Sequence, residues 1–79
     1  MQTTSVNTLT RRIAQNVRYH RKRRGWTQEV LAELMHVHRN HIGKLERGDV
    51  RLYVEFLARL AGMLEVTVDT LIDSGRGAG

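Results

Sequence analysis

Apolar residues recur along this chain at the spacing of helices, in five separate stretches. In the first, Leu9, Ile13 and Val17 stand four residues apart and would form one stripe of a helix. This stripe predicts a helix from about Thr8 to just before Gly25, where a glycine can end it.

Two shorter helices are predicted next, with a turn around Val37 between them. Thr27 is a good N-cap for the second helix, which ends at about Met35. The third helix covers about residues 39–47, and Gly48 can stop it. Neither helix is long enough to be stable alone, so we expect the two helices to pack together as one rigid unit, here called the bracket.

The remaining pattern predicts a fourth helix over about residues 54–63 and a fifth that Thr67 caps and that ends before Gly75. No stretch of four or more residues alternates as a strand would. We therefore expect an all-α fold of five short helices over residues 8–73. Residues 1–7 are expected to fray, and the glycine-rich residues 74–79 are expected to form a disordered tail.

Composition narrows the class of protein. Seventy-nine residues make one domain, which leaves no room for a separate sensor or catalytic domain. The chain has no Cys, so disulfides and thiolate metal sites are excluded. No apolar stretch approaches the roughly 20 residues needed to cross a membrane, and the polar N-terminus lacks the apolar region of a signal peptide. We expect a cytoplasmic protein without a membrane partner.

Charge is unevenly distributed around a net value of +5. Residues 1–25 contain seven basic residues and no acidic one, whereas residues 49–79 contain three basic and five acidic residues. A polyanion would be attracted to the first segment. A solvated basic helix would explain the same run equally well.

The two short helices around Val37 are typical of a helix-turn-helix, in which the second helix enters the DNA major groove and the first crosses the backbone. Three stretches carry a closer resemblance: GWTQEVLA at 25–32, IGKLERG at 42–48 and LEVTVDTL at 64–71. At these separations they resemble the Cro/C1, or xenobiotic-response-element, helix-turn-helix family. The resemblance implies a lambda-repressor-like domain of five helices. His36 stands where that family usually has Gly in the turn.

The exposed first turn of the third helix, with Lys44 one turn on, would face base edges. Arg and Lys suit guanine and Asn suits adenine, so the predicted base contacts are Arg39, Asn40, His41 and Lys44. Gln28 resembles the phosphate-binding Gln of the family, at a helix N-terminus that favours anions. The further phosphate candidates are Thr27, His38, Arg47 and Arg51.

Glu46 is an acid on a helix that would face DNA, where it would repel phosphate. We therefore expect its side chain to turn inward. The resemblance implies that it pairs with a basic residue of the first helix, and Arg21 occupies the matching position.

One domain of this size reads about four to six base pairs, too few to define a genomic site, whereas two copies on adjacent half-sites read enough. A homodimer is therefore expected. Its interface is predicted from apolar residues in the region of the fourth and fifth helices that exceed what a small core needs: Leu52, Val54, Leu64, Val66, Val68 and Ile72.

The sequence thus predicts a regulator of transcription that binds palindromic double-stranded DNA as a homodimer. Restriction–modification controller proteins, which autoregulate, and small phage repressors are members of the family that it resembles. No cofactor, metal or small-molecule ligand is expected, and the chain lacks the nucleophiles, paired carboxylates and phosphate loops of enzymes. Two alternatives are an antitoxin that binds a toxin and its own promoter, and a protein-binding adaptor that has lost DNA recognition.

Overall fold

The computed structural model describes residues 6–73. This part of the chain forms five α-helices and contains no strand, which confirms the predicted all-α class. The helices are α1 Val6–Arg23, α2 Gln28–Met35, α3 Arg39–Glu46, α4 Val54–Leu64 and α5 Val68–Ile72.

The first helix begins at Val6, two residues before the predicted start at Thr8. Residues 1–5 and the predicted tail at 74–79 lie outside the described residues.

All five helices contribute to one apolar core. Val17 of α1, Leu31 and Met35 of α2, and Ile42 and Leu45 of α3 are fully enclosed. Leu60 of α4 and Leu71 of α5 close the core from the other side. Because α2, α3 and α5 are eight residues or fewer, this shared burial is what stabilises them.

The first four helices end in the same backbone motif. In each, the first or second residue past the helix is left-handed: Gly25, His36, Gly48 and Glu65, with φ of 73°, 60°, 76° and 60°. The next N–H then donates to the carbonyl five residues back, for example Val37 to Ala32 at 3.0 Å and Val66 to Ala61 at 2.9 Å. This Schellman geometry satisfies carbonyls at the helix ends and turns the chain sharply.

A buried amide attaches α5 to α1. Asn16 is only 1% exposed, and its Nδ2 donates to the carbonyls of Leu71 at 2.7 Å and Asp73 at 3.0 Å, with a longer contact to Thr70. These carbonyls belong to the C-terminal end of α5, which has no further turn to satisfy them. Asn16 therefore replaces the missing turn and fixes the position of α5.

Candidate nucleic-acid interface

The α2–α3 pair is joined by a tight turn whose two ends are both capped. At its start His36 adopts φ 60° and ψ 43°, the left-handed conformation, in the position where the family usually has Gly. At its end His38 is the N-cap of α3, and its Nδ1 accepts a hydrogen bond from the Asn40 N–H at 3.0 Å. His38 thus supplies the cap normally made by Ser or Thr.

A buried ion pair holds this bracket against α1. Arg21 Nε and Nη2 donate to the two carboxylate oxygens of Glu46, at 2.6 and 3.0 Å, and Arg21 Nη1 donates to the Trp26 carbonyl at 2.7 Å. Glu46 also accepts from Gln28 Nε2 at 3.0 Å. The carboxylate of Glu46 therefore connects α1 to the start of α2, and Arg21 extends the network to the turn between them.

Gln28 is oriented by this network. One of its two amide N–H groups is used by Glu46, which leaves the other, and the free backbone N–H groups of the first turn of α2, for an anion. Thr27, the N-cap of α2, uses its Oγ1 to accept from Val30 N–H at 3.1 Å and keeps its hydroxyl hydrogen for donation.

The N-terminus of α2 and the outer side of α3 form one concave surface, which we call the α2–α3 face. Six of the residues predicted to contact DNA line it together. They are Thr27, Gln28, Arg39, Asn40, Lys44 and Arg47. The face is therefore polar, combines base-edge candidates with phosphate candidates, and lies beside a helix N-terminus.

The remaining three predicted DNA contacts are placed elsewhere. His41 is half-buried, and its ring packs edge-on against Phe56 of α4, with centroids 5.1 Å apart. Arg51 lines a different depression, and His38 acts as a helix cap. For His41 the helical repeat is the reason, since its position in the first turn of α3 points towards α4 rather than into the α2–α3 face.

Two acids near this surface were missed by sequence reasoning. Glu29 lines the face and pairs with Arg39 at 2.6 Å, and Asp49 lies 3.6 Å from Arg47. All four side chains are more than half exposed. Glu29 and Arg39 are on different helices, so no local spacing rule relates them.

The basic run of the first segment has a structural role that charge counting missed. Arg24 donates to the Leu64 carbonyl at 3.2 Å and pairs with Glu65, at the C-terminal end of α4. Arg12 makes a longer contact, 3.5 Å, with the Ile72 carbonyl of α5. With Arg21, three of the seven basic residues in this segment thus bind helix ends or a buried acid. Positive groups are favourable near helix C-termini, where the helix dipole is negative.

The predicted dimer residues do not form one patch. Leu64 is 2% exposed and belongs to the core, so its assignment to a dimer surface is wrong; it lies on the inner side of α4 with Leu57 and Leu60. Val66 lines a depression with His20, Arg23 and Leu64, and none of the other predicted dimer residues lines it. Val68 packs partly against the core.

Three of the predicted dimer residues do come together. They line one apolar groove between α1, the α3–α4 loop and the end of α5. The groove is lined mainly by Leu9, Val50, Leu52, Tyr53, Val54 and Ile72. Val54 is 84% exposed and Tyr53 is 67% exposed, so the groove presents neighbouring apolar side chains to solvent.

Two further findings concern the described residues. Within residues 6–73 no helix has the length and apolar character to cross a membrane. In the same part of the chain, His, Asp and Glu side chains form no group of three placed to hold a metal ion.

A five-helix domain whose α2–α3 pair presents a polar concave face beside a helix N-terminus is a helix-turn-helix DNA-binding domain. The helix-turn-helix family model matches residues 17–71, and the chain belongs to this Cro/C1-type family.

Two similar proteins agree with this assignment. The chain is 36% identical over 59 residues to a competence pilus inhibition repressor of Acinetobacter baylyi, and the match covers 75% of this chain and 54% of that protein. The chain therefore spans about half the length of this curated relative. A crystal structure of a hypothetical transcription factor, NHTF, from Neisseria superposes with a TM-score of 0.79 at 24% identity, covering 92% of this chain and 85% of that one. The second match shows the shared fold.

Proposed function

We propose that this protein regulates transcription by reading duplex DNA with its α2–α3 face, as a homodimer on a palindromic operator. The observation that carries the proposal is the convergence of Arg39, Asn40 and Lys44 on one concave surface with the N-terminus of α2. The name of the Acinetobacter relative supports repression as the sense of regulation.

The chemistry of the face divides into two parts. Side chains from α3 supply the groups that distinguish bases: Asn40 for adenine, and Arg39 and Lys44 for guanine. Gln28 and the free backbone N–H groups of α2 are suited to a phosphate oxygen, which fixes the register of the domain on DNA. Glu46 would repel that phosphate if it were exposed, and its burial against Arg21 removes the conflict.

The homodimer is proposed from the apolar groove. Val54 at 84% exposure and Tyr53 at 67% lie side by side on an apolar groove, and contiguous apolar surface of this kind suits a contact with a second copy, which would cover both. Two domains would also read two half-sites about one helical turn apart. Both small phage repressors and autoregulating restriction–modification controllers fit this design.

The experiment that tests the proposal is selection of the purified protein on a pool of random duplex DNA at about 150 mM salt, followed by sequencing. Enrichment of a palindrome with half-sites one turn apart is the expected result. Binding without enrichment would reject sequence-specific regulation, and absence of binding would direct attention to a protein partner such as a toxin.

Two variants then test whether the α2–α3 face is the surface that reads DNA. Asn40→Ala should weaken binding to the selected site by about 1–3 kcal/mol and relax the preference at one base pair of each half-site. Lys22→Ala, on the exposed side of α1, is the matched control. It should weaken all sequences equally and slightly, because it changes only the general electrostatic attraction.

A further inference from the structure

An exposed ion pair stands within the α2–α3 face itself. Arg39 Nη1 donates to Glu29 Oε2 at 2.6 Å, and the two side chains are 63% and 65% exposed. We propose that Glu29 is a specificity-determining residue, which positions the Arg39 guanidinium for a base edge and keeps it from the phosphates. This inference rests on the proposed function, since it concerns how the same face reads DNA.

Stability does not explain the pair. Exposed ion pairs contribute about 0–1 kcal/mol, and a carboxylate facing the phosphates of DNA opposes binding. An acid in the first turn of α2 also favours the helix by about 0.3–1 kcal/mol, but this effect requires no partner on α3. The contact with Arg39 therefore calls for a role in recognition.

The geometry supplies that role. Arg39 uses Nη1 for Glu29, so its Nη2 and Nε groups remain for a base. An arginine without such a partner can rotate to a phosphate, a contact that carries no sequence information. Glu29 repels phosphates and occupies one side of the Arg39 guanidinium. A contact between Arg39 and a phosphate is therefore disfavoured, whereas its contact with a base is retained. Specificity gained through a repulsive element is a general feature of selective interfaces.

The test compares binding constants of the full chain for three duplexes: the selected operator, the operator changed at the base pair whose preference is lost in Arg39→Ala, and an unrelated sequence. Glu29→Gln should bind the unrelated duplex more tightly and lose discrimination at that base pair by at least about fivefold. Its thermal unfolding should stay close to that of the unchanged protein, because the pair is exposed.

Two controls isolate the mechanism. Glu33→Gln removes the same charge from an exposed position one turn along α2 and should leave discrimination unchanged. In an Arg39→Ala background, Glu29→Gln should tighten binding to the unrelated duplex less than it does in the unchanged protein, because no guanidinium is released to the phosphates.

Equal shifts for operator and changed operator in Glu29→Gln would overturn the inference, as would an equal gain in affinity for the unrelated duplex with and without Arg39. Either result can occur while the unchanged protein still selects an operator, so the proposed function would stand. Failure of the unchanged protein to select any sequence would overturn both.

Discussion

Arg21 and Glu46 form a bidentate ion pair in which both side chains are buried, 8% and 3% exposed, although they are 25 residues apart in the chain. The pair joins α1 to the last turn of α3. Because Gln28 binds the same carboxylate, the orientation of Gln28 on the α2–α3 face depends on it.

Removing one partner should be costly. Glu46→Ala leaves a buried guanidinium without its counter-ion, and we expect the free energy of unfolding to fall by about 3–5 kcal/mol in urea denaturation. Glu33→Ala, which removes an exposed acid, should change it by no more than about 0.5 kcal/mol. Similar effects for the two variants would contradict the structural role of the pair. If Glu46→Ala does not fold, combining Arg21→Met with Glu46→Leu should restore folding, because no charge remains buried.

Replacing Asn16 should destabilise the attachment of α5 to α1. Asn16→Ala leaves the Leu71 and Asp73 carbonyls without their donor, and unsatisfied polar groups of this kind cost about 1–3 kcal/mol. Hydrogen exchange should show the loss as faster exchange of the amides of α5. The neighbouring Gln15→Ala, on an exposed position of α1, is the control and should leave both quantities unchanged. Unaltered exchange in α5 would show that packing alone holds that helix.

Glycine should stabilise the turn between α2 and α3. His36 is left-handed at φ 60°, a conformation that costs an L-residue about 1–2 kcal/mol. Gly avoids this cost, but its greater conformational freedom in the unfolded chain offsets part of the gain. His36→Gly should therefore raise the free energy of unfolding by about 0.5–1 kcal/mol. Gly25→Ala is the converse control, since φ is +73° and an added Cβ meets nothing within 4 Å, so that backbone strain alone acts. It should destabilise the domain, and a loss of stability in His36→Gly would refute the argument.

A substitution of Val54 should separate the proposed dimer formation from folding. Val54→Asp places a charge in the apolar groove at a side chain that is 84% exposed, so thermal unfolding of the monomer should hardly change. Sedimentation should show loss of the dimer and DNA binding should weaken at a given protein concentration. Ala58→Asp adds the same charge to an exposed position of α4 outside the groove and should remain dimeric. A dimer that survives Val54→Asp would place the interface elsewhere.

The pattern of apolar residues and capping residues determined the helices. Thr27 and Thr67 were predicted as N-caps, and each accepts the expected backbone N–H. The left-handed turn at His36 followed from the family resemblance, and the structure brings Arg21 to Glu46 as that resemblance implied. These features are local, or belong to motifs with a fixed spacing, so a sequence carries them directly.

The tertiary structure alone decided which apolar residues stay outside the core and which partners the polar residues meet. Leu64 and Val54 are both apolar residues of α4, yet one is in the core and the other is almost fully exposed. The ring of His41 packs edge-on against Phe56, and Arg39 forms an ion pair with Glu29. Such pairings depend on how separate helices pack in three dimensions, and periodicity within one helix contains no information about its neighbours.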